Sequence, residues 1–113
     1  MITIWHNPRC SKSRAALALL QEAGAPPILR LYLDDPPTLA ELRAARAALG
    51  LKAVDMMRPD EALFGKLGLS RDDPDDTLLR AMADHPGLIE RPIVIAGARA
   101  VIGRPPERVR ALL

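Results

Sequence analysis

The first third of the chain changes its hydrophobic period twice, and this change limits the available folds more than any other feature. Residues 2–5 alternate in a β-prone pattern that stops at Asn7-Pro8, which predicts a short strand entering a loop. Apolar residues then recur at helical spacing as far as Gly24, and residues 28–33 form a nearly continuous apolar run, typical of an interior parallel strand. Strand, crossover helix and strand make a βαβ unit, for which a right-handed connection is strongly favoured.

The middle of the chain carries helical signals, and residues 51–87 show no convincing strand. After a turn, Thr38 and Glu41 have the spacing of a capping box at the start of a helix. The acidic cluster at 72–76 is typical of a solvated helix start, where negative charge suits the helix dipole. Further short helices are predicted at 55–58, 60–67 and 75–85.

The last third returns to strands. Residues 92–96 and 99–102 flank Gly97-Ala98, a two-residue loop with glycine first, which predicts a type II′ hairpin. A pair of prolines at 105 and 106 then opens a final helix.

The order of these elements is β, α, β, a helical stretch, then β, β, α. It predicts an α/β protein with a thioredoxin-like fold and a helical insertion. We expect a single domain over residues 1–113, with its core at 1–33 and 88–113 and the insert at 34–87.

Composition narrows the classes of partner. The chain is 49% hydrophobic and 27% charged, the profile of one globular domain. Its aromatic residues are few, so the sequence predicts no nucleic-acid binding. Its positive and negative residues are interspersed and the net charge is only +2, which favours a small anion as partner. No apolar run approaches the roughly 18 residues that span a bilayer, so no membrane insertion is expected. A single cysteine and the lack of a signal-peptide pattern favour the cytoplasm.

That cysteine, Cys10, is the strongest candidate for chemistry. It is predicted at the first turn of a helix, is flanked by Arg9, Lys12 and Arg14, and follows His6 by four residues. Helix starts and neighbouring cations both lower a thiol pKa, and a helix start also holds oxyanions. The sequence therefore predicts a thiolate enzyme that acts on, or near, an oxyanion.

Two neighbours of Cys10 add to this hypothesis. Ser13 occupies the position at which a dithiol motif has its second cysteine, so redox chemistry would need an external thiol. The Ser13 hydroxyl can reach the sulfur from the same helical face, or Ser13 is an ordinary serine of the first helical turn. His6 either tunes the thiol electrostatically or simply ends the first strand.

Three arginines share a second pattern. Arg58, Arg91 and Arg104 each directly precede a proline, which biases them towards extended backbone in loops. Guanidinium groups from several loops would bind a tetrahedral oxyanion if they converge, although an arginine-rich chain produces such pairs by chance as well. Pro92, before an apolar strand, is a candidate for a cis peptide bond. No metal site is predicted.

These motifs together resemble the ArsC family of glutaredoxin-dependent arsenate reductases, especially its short YfgD-type members, over essentially the whole chain. The residues that carry the resemblance are 6–14, 31–33, 57–58, 90–94 and 102–106. The resemblance implies that Cys10 is the nucleophile, that Arg58, Arg91 and Arg104 hold the oxyanion, that His6 and Ser13 depress the thiol pKa, and that Pro92 is cis.

The resemblance also implies the reaction and its partners. Cys10 would form a covalent adduct with arsenate, with glutathione as co-substrate and glutaredoxin as reductant, and we expect a monomer with no bound cofactor. Two alternatives stay open. One is a thiol oxidoreductase that acts on glutathione mixed disulfides rather than arsenate. The other is an Spx-like transcription regulator that binds RNA polymerase, although Ser13 replaces the second cysteine of the switch typical of those proteins.

Overall fold

The computed structural model describes residues 1–113, and the chain divides into two compact units. The first unit comprises Met1–Asp35 and Arg91–Leu113, and the second comprises Pro36–Glu90. Each junction lies slightly later than the sequence suggested for an insert at 34–87, and the expectation of a single domain stays a prediction. No helix is both long and apolar enough to cross a membrane.

The first unit holds the sheet and the helices packed on it. Its elements are β1 (Ile2–Trp5), α1 (Ser11–Glu22), β2 (Ile28–Arg30), β3 (Ile93–Ala96), β4 (Arg99–Ile102) and a 3₁₀ helix (Pro106–Leu112). The strand order is β2-β1-β3-β4, with β1 parallel to β2 and antiparallel to β3, and β3 antiparallel to β4. The predicted α/β, thioredoxin-like fold class is confirmed. The final element differs from the prediction only in being a 3₁₀ rather than an α-helix.

The core of this unit lies between the two central strands and the helices. It consists of fully or almost fully buried aliphatic side chains, namely Ile4, Ala16, Leu20, Val94, Val109 and Leu112. The helical spacing of the apolar residues in α1 matches this burial in part, because Ala16 and Leu20 are buried and Leu17 packs against the core, whereas Ala23 is exposed. The end of α1 is a Schellman motif: Gly24 has φ +74° and donates to the Gln21 carbonyl, while the next N–H reaches Leu20.

The prediction of an interior strand at 28–33 was wrong. β2 stops at Arg30 and lies at the edge of the sheet, with Ile28 and Leu29 about half exposed. The chain then turns, because the N–H groups of Asp34 and Asp35 both donate to the Leu31 carbonyl. The apolar run indicated burial, but only Tyr32 within it is buried.

The hairpin between β3 and β4 has the predicted turn. Gly97 has φ +62°, and no residue other than glycine has positive φ, so Ala98 does not. This combination excludes type I′ and matches type II′.

The second unit is helical. Its elements are α2 (Leu39–Leu49), α3 (Ala62–Lys66), α4 (Asp75–Asp84) and two 3₁₀ helices, Ala53–Met56 and Pro86–Leu88. The capping box is confirmed: Thr38 accepts from the Glu41 N–H, and Glu41 accepts from the Thr38 N–H. Helix α4 contacts α2 and both 3₁₀ helices. The acidic start of α4 is bound by arginines, since Arg43 and Arg80 hold Asp76 and keep the pKa of its carboxyl below the usual value.

Candidate active site

Three segments of the first unit meet at one end of the sheet, and this meeting creates the site. Trp5, the last residue of β1, is paired with Ile93, the first residue of β3. Ile93 is in turn paired with Ile102, the last residue of β4. The cysteine loop follows β1, Arg91 precedes β3 and Arg104 follows β4. All three therefore lie at the same end of the strands.

Cys10 is the N-cap residue of α1 and has an extended backbone, and the residue is 7% exposed. Burial alone raises the pKa of the Cys10 thiol. Hydrogen bonds from the Ser13 backbone N–H, the Arg91 side chain and the Lys12 backbone N–H outweigh that effect, and the nearby Arg91 charge adds to them. The net result is a thiol pKa below the ordinary value, so the thiolate is favoured.

Arg104 approaches the same sulfur and also braces Arg91. Its Nη2 atom lies 3.9 Å from Cys10 Sγ, and its Nε–H donates to the Arg91 carbonyl at 2.9 Å. One residue earlier, the Gly103 N–H donates to the Pro92 carbonyl at 2.9 Å. The carbonyls of the two residues before β3 thus accept hydrogen bonds from the two residues after β4.

Gly103 is a functional position that the sequence analysis missed. A Cβ at this residue would lie 2.8 Å from Pro92 Cγ and 3.3 Å from Ala16 Cβ. The absence of a side chain therefore allows the loop that carries Arg104 to approach the loop that carries Arg91 and helix α1. The signal was available in the sequence, because this glycine stands between a strand and an Arg-Pro pair.

His6 and Ser13 form a buried pair beneath the cysteine loop. His6 Nδ1 lies 2.7 Å from Ser13 Oγ, and the same oxygen accepts the Asn7 N–H at 3.1 Å. Burial, together with the charge of Arg14, lowers the pKa of His6, so its ring is neutral near pH 7.

The Ser13 hydroxyl does not contact the sulfur, so this part of the interpretation is corrected. The hydroxyl fastens the first turn of α1 to the start of the loop, and it is the backbone N–H of Ser13 that reaches Cys10. A serine with a buried histidine partner satisfies that partner first, since an unsatisfied buried group is costly.

Arg58 belongs to the second unit. Its guanidinium pairs with Glu61 and, at 3.9 Å, with Glu90, and its backbone N–H donates to the Leu88 carbonyl. The structure thus brings Arg91 and Arg104 together at Cys10, whereas a role for Arg58 stays a prediction. Sequence reasoning did not identify its two carboxylate partners.

The remaining predicted features concern Pro92 and metals. The Arg91–Pro92 peptide bond is cis, and so is Arg104–Pro105, which the sequence analysis did not single out. The structure contains no group of three or more His, Cys, Asp or Glu side chains placed to hold a metal ion.

The arrangement supports a specific kind of chemistry. A thiolate at a helix start is a competent nucleophile. Two guanidinium groups beside it, together with helix amides, would offset negative charge on an oxyanion that the thiolate attacks. The site therefore fits nucleophilic attack on an anionic, tetrahedral substrate.

The chain is similar to known proteins over almost its whole length. The sequence pattern of the ArsC family matches residues 5–112. A protein from Neisseria meningitidis serogroup A named arsenate reductase is 54% identical, covering 99% of this chain and 97% of its own. The Escherichia coli K12 protein YfgD, described as uncharacterized, is 46% identical over 96% of this chain and 92% of its own. The solved structure titled arsenate reductase from Vibrio cholerae has a TM-score of 0.94 and 47% identity, covering 99% of this chain and 97% of that one.

Proposed function

Because the chain belongs to the ArsC family, we propose that it is an arsenate reductase that works through a covalent Cys10 adduct, with glutathione and glutaredoxin as the source of electrons. The observation that carries the proposal is the position of Cys10 at the start of α1, with Arg104 Nη2 3.9 Å from its sulfur and the Arg91 side chain hydrogen-bonded to it. Relatives of similar length named arsenate reductase support the choice of substrate. Arg58 is proposed as a further oxyanion ligand.

The proposed reaction begins with attack of the Cys10 thiolate on the arsenic(V) atom. A sulfur–arsenic bond forms, and an arsenate oxygen leaves as water after protonation. Arg91 and Arg104 would hold the remaining oxygens and balance their charge, which is the role that guanidinium groups serve best.

The reduction itself needs two thiols from outside, because Cys10 is the only cysteine. Glutathione thiolate displaces a second oxygen as water and becomes bonded to arsenic. A glutaredoxin thiolate then attacks the glutathione sulfur and breaks the bond between that sulfur and arsenic. The electron pair of this bond passes to arsenic, which becomes arsenic(III) and stays bonded to Cys10. Glutaredoxin leaves as a mixed disulfide with glutathione, and water releases arsenite from Cys10. A reducing, cytoplasmic setting and a monomeric enzyme fit this scheme.

The test is steady-state turnover of arsenate with glutathione and glutaredoxin. We expect arsenite formation that needs both thiols and is lost in Cys10→Ser. Arg108→Gln, which replaces an exposed arginine of the same unit, is a surface control and should keep the activity. Turnover of arsenate that persists in Cys10→Ser would refute the covalent scheme.

A second candidate is a thiol oxidoreductase that reduces glutathione mixed disulfides. The observation that favours it is that the chain has one free thiol, placed at a helix start, since a monothiol site suffices for that exchange. A glutathionylated peptide assayed beside arsenate separates the two. Faster turnover of the peptide, with negligible arsenite production, would select this alternative.

A further inference from the structure

A groove of about 500 Å³ lies beside the cysteine loop in the first unit. One wall is the loop itself, and the other is the turn that follows β2. The residues that line it are His6, Asn7, Pro8, Arg9, Leu31, Leu33 and Asp34. None of the steps of the proposed reaction uses this groove.

Internal hydrogen bonds and an ion pair hold both walls of the groove in place. In the loop, Asn7 Oδ1 accepts the Arg9 N–H, and the Asn7 carbonyl accepts the Cys10 N–H. In the turn, the N–H groups of residues 34 and 35 hold the Leu31 carbonyl, and Arg30 pairs with Asp35. A groove with fixed walls loses little conformational freedom when a small molecule enters.

The lining combines apolar surface with one charge of each sign. Leu31 and Leu33 are 42% and 46% exposed, which leaves apolar area for a ligand to cover. Arg9 contributes a cation and Asp34 an anion. The volume falls within the range of small-molecule sites, roughly 300–1,000 Å³, and is small for the surface of a protein partner.

We propose that this groove binds glutathione and delivers its thiol to the adduct on Cys10. Glutathione is a flexible tripeptide with two carboxylates and one ammonium group, so it can pair with Arg9 and Asp34 while its methylene groups cover the two leucines. Arg9, one of the lining residues, directly precedes the nucleophile in the chain. An external thiol bound there would arrive beside the only cysteine of the chain.

This inference rests on the proposed use of glutathione, so its test begins with binding alone. S-methylglutathione cannot exchange thiols and is titrated calorimetrically into the full-length protein. We expect saturable binding that is weakened roughly fivefold in Leu33→Ser and in Arg9→Gln. Leu29→Ser is the matched control, because Leu29 is 50% exposed on β2 but does not line the groove.

The outcomes separate the two hypotheses. No binding of S-methylglutathione, or equal weakening in Leu29→Ser, overturns the groove assignment whether or not arsenate is reduced. Binding with the expected pattern but no arsenate turnover supports the groove and rejects the proposed reaction. In turnover assays, Leu33→Ser should raise the KM for glutathione and leave the KM for arsenate unchanged. Groove variants that weaken only glutaredoxin binding would also overturn the assignment, since they would indicate a protein-docking surface.

Discussion

At the scale of single residues, the site depends on how one thiol is surrounded. Burial disfavours the thiolate of Cys10, whereas two backbone amides and Arg91 favour it, and the second set prevails. The sequence predicted the direction of this pKa change from the helix start and the neighbouring cations. It could not predict which atoms act, because Ser13 offers both a hydroxyl and an amide, and only the fold decides between them.

Removing the side chain of Arg91 should raise the pKa of the Cys10 thiol, since a hydrogen bond and a positive charge are lost together. We expect Arg91→Gln to shift the pH profile of iodoacetamide alkylation upwards and to slow alkylation several-fold at neutral pH. Arg108→Gln removes an exposed arginine of the same unit and should leave the profile unchanged. Identical profiles for wild type and Arg91→Gln would remove Arg91 from the thiolate's surroundings.

His6 should make stability depend on pH. Burial and the charge of Arg14 lower the pKa of His6 below 6.5 in the folded state. As the pH falls below 6.5, the unfolded chain binds a proton at His6 before the folded chain does. The free energy of unfolding therefore decreases until the pH passes the lowered pKa. Urea denaturation between about pH 7.5 and 5.5 should show a shallower decrease in His6→Asn, and an equal decrease would contradict this account.

At the scale of elements, the β3–β4 hairpin is what brings the arginines together. The two short apolar segments and the Gly97-Ala98 turn between them were enough to predict the two strands and the turn type. They also predicted that Arg91 and Arg104 flank the hairpin. Their approach to Cys10 depended on the pairing of β3 with β1, which is set by contacts distant in sequence and has no local signal.

Gly103 should be sensitive to the smallest possible side chain. An added Cβ at 2.8 Å from Pro92 must displace that proline and with it Arg91. We expect Gly103→Ala to lower the free energy of unfolding by about 1–3 kcal/mol and to raise the KM for arsenate. Gly65→Ala is the control, since its Cβ meets nothing within 4 Å and it lies in α3. There we expect no loss, or a gain of up to about 1 kcal/mol. Equal effects of the two substitutions would contradict the packing argument.

At the scale of the whole molecule, the order of elements was predictable because each segment shows one clear period. The exception is β2, whose apolar residues suggested an interior strand although it lies at the sheet edge. Periodicity reports whether side chains are apolar, not whether another strand covers them. Two of the exposed leucines in that apolar run, Leu31 and Leu33, line the groove beside Cys10.

One thiol per molecule limits what oxidation can produce. With Cys10 alone, the chain can gain one glutathione or join a second copy through one disulfide. Because the thiol is 7% exposed, a small disulfide should reach it far more readily than a second protein molecule. Treatment with oxidised glutathione should therefore give a singly glutathionylated monomer by intact-mass analysis. Predominant disulfide-linked dimer on a non-reducing gel would contradict this expectation.

The register of the β3–β4 hairpin has a consequence for how such a chain can diverge. Arg91 and Arg104 lie just outside the paired residues Ile93 and Ile102, so the register of the hairpin fixes the distance between them. One residue gained within either strand would turn its remaining side chains to the opposite face and misplace an arginine. Length changes are tolerable only in matched pairs across the ladder or within the turn at Gly97-Ala98, at the far end from the cysteine. New substrate preferences are therefore expected to arise by substitution around the arginines rather than by changes in the spacing between them.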